Sequence, residues 1–169
     1  MNCKKIIPLL LLSLPAFSLA LENHKPHVHG TVSLDVAVDE SSVLIMLKTP
    51  AQSILGFEKK IETAQEKAEV KKYQTLWTEG YKTFISFEGI EKCKPQDISW
   101  KLEGAGKEHS EVKAEMTLVC PFKIEVILKF DLKKYSSSIL QSHYQYLGPN
   151  NITDSGTVKK DQPIILKTK

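Results

Sequence analysis

Four aliphatic residues, Val32, Leu34, Val36 and Val38, fall on every second position, with Thr31, Ser33, Asp35 and Ala37 between them. A period of two fits a strand with one buried and one wet face, and it fits no helix. The pattern returns twice. Ile98, Trp100 and Leu102 alternate with Ser99, Lys101 and Glu103. Val112, Ala114, Met116, Leu118 and Cys120 form a core-facing row, set against His109, Glu111, Lys113, Glu115 and Thr117. Counted back toward the N-terminus, the first strand carries His27 and His29 on its wet face and Val28 and Gly30 on its core face. A rise of about 3.3 Å per residue sets the two imidazoles about 6–7 Å apart. Both rings can then reach one metal ion through Zn–N bonds of about 2.0–2.1 Å.

The rest of the chain supplies further strands and two helices. Val43 to Lys48 is a second strand, joined to the first by the Asp39-Glu40-Ser41-Ser42 turn. Ala51 to Leu55 is a short helix with Pro50 at its start, closed by Gly56-Phe57-Glu58. One long amphipathic helix begins at the capping box Thr63-x-x-Glu66. It turns Ala64, Ala68, Val70, Tyr73, Leu76 and Trp77 inward and Lys67, Lys71 and Lys72 outward. Thr83 to Phe87, then Ile124, Val126, Leu128 and Phe130, then Gln141 to Leu147 and Pro163 to Leu166 read as strands. Ser136 to Leu140 reads as a helical turn, and residues 148–151 as a turn. Sequential hairpins with one long and one short helix predict an α+β domain built on a mostly antiparallel sheet.

Residues 1–20 read as a secretory signal: Lys4 and Lys5, a Pro-broken apolar run too short to span a bilayer, and a small-x-small site at Ser18-Leu19-Ala20. Residues 21–169 then form a single exported domain without a membrane span. Lys4 and Lys5 leave with the signal, so the formal charge falls from +3 to +1. This near balance argues against nucleic acid or an anionic membrane as partner. Every basic residue is lysine, so no guanidinium clamp is available. Cys93 and Cys120 remain after export. An even pair in an oxidising compartment most simply forms one disulfide; a metal-ligand role is the weaker reading, since neither belongs to a Cys-x-x-Cys pair.

Three of the five histidines, His24, His27 and His29, stand within six positions. His109 and Glu111 occupy the wet side of their own strand. If the two strands come together, three imidazoles and a carboxylate converge, a set suited to zinc or another divalent transition metal such as copper. His24 is a further ligand or a solvated side chain, and His143 reads as a surface histidine. Nucleophile elbows, metalloprotease helices, phosphate loops and dinucleotide fingerprints are all missing, so the chain does not read as an enzyme.

Several landmarks stand in a recognisable order. They are His27-Val28-His29-Gly30 before the first strand, Pro50-Ala51-x-x-Ile54-Leu55-Gly56-Phe57-Glu58, Cys93, and the His109-led strand ending in Cys120. Together they resemble a bacterial periplasmic zinc-binding family typified by zinc-regulated protein A. The resemblance implies a periplasmic, non-enzymatic binder with His27, His29 and His109 as zinc ligands and Cys93 and Cys120 as a disulfide. Two departures stand out: Lys59 where the family commonly has histidine, and a short segment at 104–108 in place of a long His/Asp-rich loop. The resulting expectation is a zinc-binding accessory or chaperone protein that assists acquisition or buffers the metal, with a zinc importer component as its partner. The other reading is a structural or protein-interaction module of the cell envelope.

Overall fold

The computed structural model describes residues 28–105 and 109–168. The predicted signal at 1–20, His24 and His27 lie outside these residues. The chain runs β1 (Thr31–Asp39), β2 (Ser42–Pro50), α1 (Gln52–Leu55), α2 (Ala64–Thr78), β3 (Ile85–Ser86), β4 (Lys94–Glu103), β5 (Glu111–Val119), β6 (Ile127–Phe130), α3 (Leu132–Tyr135), β7 (Gln141–Leu147), β8 (Thr153–Lys159) and β9 (Ile164–Lys167). Six strands form one sheet in the order β4-β5-β2-β1-β7-β8, and β3-β6-β9 form a second. Every pairing is antiparallel except β1 with β7. The fold is the predicted α+β arrangement around a mostly antiparallel sheet.

Alternation is what builds the large sheet. Val32, Leu34, Val36 and Val38 of β1 are buried, as are Val43, Ile45 and Leu47 of β2 and Val112, Ala114, Met116 and Leu118 of β5. These rows share one core with Ile85, Leu128, Phe130, Ile164 and Leu166 of the smaller sheet and with the inner face of α2. The capping box of α2 is complete: Glu66 N–H donates to the Thr63 hydroxyl at 3.2 Å, and Thr63 N–H donates to the Glu66 carboxylate at 2.9 Å. Trp77 is fully buried and donates through Nε1 to the Glu115 carbonyl at 3.1 Å. It packs among Phe84 and Tyr135, and Tyr135 in turn accepts from Trp100 Nε1 at 2.9 Å. Burial pushes the Tyr135 phenol far up from its ordinary range.

A disulfide joins Cys93 to Cys120. It closes the end of the β4–β5 ladder where the register slips between Pro95 and Asp97. A loop with a sequence separation of 27 residues is worth about 3.5 kcal/mol on the chain-entropy account.

Several expectations are corrected. The first strand starts at Thr31; residues 29 and 30 form a turn with Gly30 at φ +79, so the alternation does not reach back to His29. Val28, expected in the core, is 63% exposed. Pro50 closes β2, and Ala51 caps α1. Ala64 and Ala68 are exposed because only the C-terminal half of α2 lies flat on the core, through Val70, Tyr73, Leu76 and Trp77. The strand expected over Thr83 to Phe87 shrinks to two residues behind a 3-10 turn. Ile124 and Val126 precede β6, and the helical turn sits at Leu132–Tyr135, ahead of the predicted Ser136 to Leu140. The strand β8 was not foreseen.

Candidate metal centre

His29 and His109 come from segments that lead into β1 and β5. Those strands are not neighbours, because β2 runs between them, so their axes stand about 9–10 Å apart. What brings the two histidines level is register. The β1–β2 ladder pairs Ser33 with Lys48, and the β2–β5 ladder pairs Pro50 with Glu111. Followed outward, both place their histidine opposite Gln52, where β2 has ended and α1 begins. The two rings therefore flank the open end of the middle strand.

The helix α1 fixes both flanks. Gly30 N–H donates to the buried Ser53 hydroxyl at 2.8 Å, one residue from His29. Ala51 N–H donates to the Ser110 carbonyl at 2.9 Å, one residue from His109. Gly56 ends α1 in the left-handed conformation, Phe57 packs against the core, and Glu58 follows at the gap between the rings.

Glu58 is the meeting point. Its Oε1 lies 4.0 Å from His29 Nδ1, and its Oε2 lies 3.9 Å from His109 Nδ1. The glutamate side chain is 13% exposed, against 60% and 65% for the imidazoles. A largely buried carboxylate thus sits beneath two rings that face solvent. Among the described residues, Glu58 Oε1 has no hydrogen-bond partner although the atom is buried. Leaving such an acceptor unpaired costs about 1–3 kcal/mol, and more when it is charged.

The other predicted ligands are placed as follows. Glu111 lies 3.3 Å from Lys48 Nζ, so the carboxylate recorded against the rings is that of Glu58. His143 sits on β7, its Nδ1 2.8 Å from the Thr157 hydroxyl and its Nε2 3.0 Å from Gln141 Nε2. Lys59, next to Glu58, pairs with Glu66 at 2.6 Å. Glu58 is the site residue that sequence reasoning passed over. The signal available was an acid two residues beyond a glycine that ends a short helix.

Fold and rim together define a disulfide-pinned β-sheet protein that presents two imidazoles and a largely buried carboxylate at one end of its sheet. The family model described as ZrgA family zinc uptake protein matches residues 26–166. The chain belongs to that family. No match was found among curated proteins.

The donor set fits zinc by its chemistry, since two imidazole nitrogens and a carboxylate oxygen are ordinary zinc ligands. Ligand atoms sharing a tetrahedral zinc with bonds of about 2.0–2.1 Å lie about 3.3 Å apart. The recorded separations of 4.0 Å to Oε1 and 3.9 Å to Oε2 are each wider than that. As they stand, no three His, Cys, Asp or Glu side chains among the described residues are grouped closely enough to hold an ion. Holding one ion with all three would require side-chain movement from these positions. No described helix is long and apolar enough to cross a membrane.

Proposed function

We propose that this protein is a periplasmic zinc-binding accessory protein. It takes the metal as cargo at His29, Glu58 and His109, and buffers it or passes it to a zinc importer component. His27, outside the described residues, is proposed as a further ligand on the family resemblance alone. The observation that carries this reading is the Glu58 carboxylate, whose Oε1 lies 4.0 Å from His29 Nδ1 and whose Oε2 lies 3.9 Å from His109 Nδ1, with Oε1 buried and lacking a hydrogen-bond partner among the described residues. Zinc-family membership supports it. The protein acts as a binder, not a catalyst: its carboxylate is used to hold the ion rather than to activate water. Export under the signal at 1–20 accords with the Cys93–Cys120 disulfide, a bond that persists in oxidising compartments.

Calorimetry on the protein without residues 1–20 tests the assignment. Zinc should bind at micromolar affinity or tighter, and His29→Ala/His109→Ala should weaken it at least tenfold. Glu58→Gln, which keeps the shape and removes the charge, should do so as well. Wild-type affinity in either variant would remove the site.

A further inference from the structure

The residue after the buried carboxylate is a lysine, and its position raises a question of charge. An ammonium on a four-carbon stem next to Glu58 is a built-in rival for the orphaned oxygen. The structure shows it committed elsewhere: Lys59 Nζ lies 2.6 Å from Glu66 Oε1. The second oxygen of Glu66 is already occupied, accepting from the backbone N–H groups of Glu62 and Thr63 at 2.9 Å each. Those two bonds fix the Glu66 carboxylate in place, so Lys59 meets a preorganised partner and less side-chain freedom is lost in pairing. Glu66 is itself buried at the N-terminus of α2 while Lys59 stays exposed. The lysine is thus drawn toward the helix and its charge is offset there.

We propose that Glu66 governs the Glu58 site through Lys59: by holding the ammonium, it keeps this cation from pairing with the neighbouring carboxylate and so sets the affinity for a divalent ion. This inference rests on Glu58 being a zinc ligand. Glu66 is a positioning residue and does not touch the metal. Freed of Glu66, Lys59 loses its hydrogen-bonded counter-charge while remaining the residue next in the chain to Glu58. There it repels the incoming ion and competes for Glu58 Oε1. At surface dielectric values and ordinary salt, such a charge weakens divalent binding about three- to tenfold.

Four proteins decide the matter, each assayed for zinc affinity by competition with a chromophoric chelator and for thermal unfolding without metal. They are wild type, Glu66→Gln, Lys59→Met and the double variant. Glutamine at the third position of a helix still completes a capping box, so Glu66→Gln keeps the fold while dropping the charge. The inference expects Glu66→Gln to bind zinc about three- to tenfold more weakly, and Lys59→Met to bind at least as tightly as wild type. The double variant should return to within about twofold of Lys59→Met. Unchanged affinity in Glu66→Gln overturns it. So does a double variant as weak as Glu66→Gln, because a purely structural defect at the cap is not repaired by removing a lysine. Glu58→Gln run alongside separates the two claims. If it leaves zinc binding intact, the site itself is refuted; if it abolishes binding while Glu66→Gln has no effect, only the role of Glu66 falls.

Discussion

A buried carboxylate oxygen without a hydrogen-bond donor is costly, and among the described residues Glu58 Oε1 has none. His29 Nδ1 lies 4.0 Å from that oxygen, and His109 Nδ1 lies 3.9 Å from Oε2 of the same carboxylate. Placement of the histidines depends on backbone detail that side-chain chemistry alone does not reveal. Gly104 adopts φ +71, and a Cβ there would come within 2.7 Å of the His109 carbonyl oxygen. Gly104→Ala must therefore strain its own backbone and displace His109. Zinc affinity measured by calorimetry should fall at least tenfold, and the unfolding midpoint in urea should drop by an amount equivalent to about 1–2 kcal/mol. An alanine variant with native affinity and midpoint would show that the close approach is not needed. His29 and His109 were legible as candidate ligands from their residue type and their place just ahead of alternating strands, although both precede the strands whose faces the alternation describes. Glu58 was not, because one acid after a glycine has no periodicity to give it a face.

Among the elements, the one-turn α1 does more than its four residues imply. Its Ser53 hydroxyl accepts from the buried Gly30 N–H, and Ala51 at its cap donates to Ser110, so both histidine-bearing segments are tied to one helical turn. Ser53→Ala leaves the Gly30 donor buried and unpaired, at a cost of about 1–3 kcal/mol. Chemical denaturation should register that loss, and the backbone amide of Gly30 should exchange faster with deuterium. An amide still protected in the variant would contradict the role given to Ser53. At the start of α2, the Glu66 carboxyl is held down at about 2, below its ordinary 4.5, first by the Lys59 hydrogen bond and then by the Thr63 and Glu62 backbone N–H groups. A carboxyl lowered by folding adds stability that is present above the ordinary range and is lost as pH falls from about 4.5 toward 2. Denaturation midpoints of the wild type should decline across that window more steeply than those of Glu66→Gln; parallel curves would rule the contribution out. Elements with strong alternation, β1, β4 and β5, were readable from sequence, as were the apolar strand β2, the extended β7 and the capped helix α2. The strand β8 was not, since Thr153–Lys159 has no buried residue in it and is held by pairing with β7. Ala64 and Ala68 misled for a related reason. Their helical spacing was right, but small side chains at the free end of α2 do not decide how far the core extends.

For the whole molecule, the sheet order matters most. Inserting β2 between β1 and β5 separates the two histidine segments by two strand spacings, and a matched register brings their ends level again. No pattern in the sequence specifies which strands are neighbours, because that is settled by packing across the entire core. A protein arranged this way should gain stability from its cargo, since an ion held only by the folded state adds about 2.7 kcal/mol at a hundredfold excess over Kd. Thermal melts should move upward with added zinc and return on chelation, and Glu58→Gln should show no such shift. A shift of equal size in that variant would place the ion elsewhere. The most direct measurement is an anomalous difference map, recorded at the zinc absorption edge, from crystals of the zinc-loaded protein. The account predicts one strong peak within about 2.0–2.2 Å of a His29 ring nitrogen, a His109 ring nitrogen and a Glu58 oxygen. A peak at His143 or Glu111 instead, with Glu58 left uncoordinated, would contradict it.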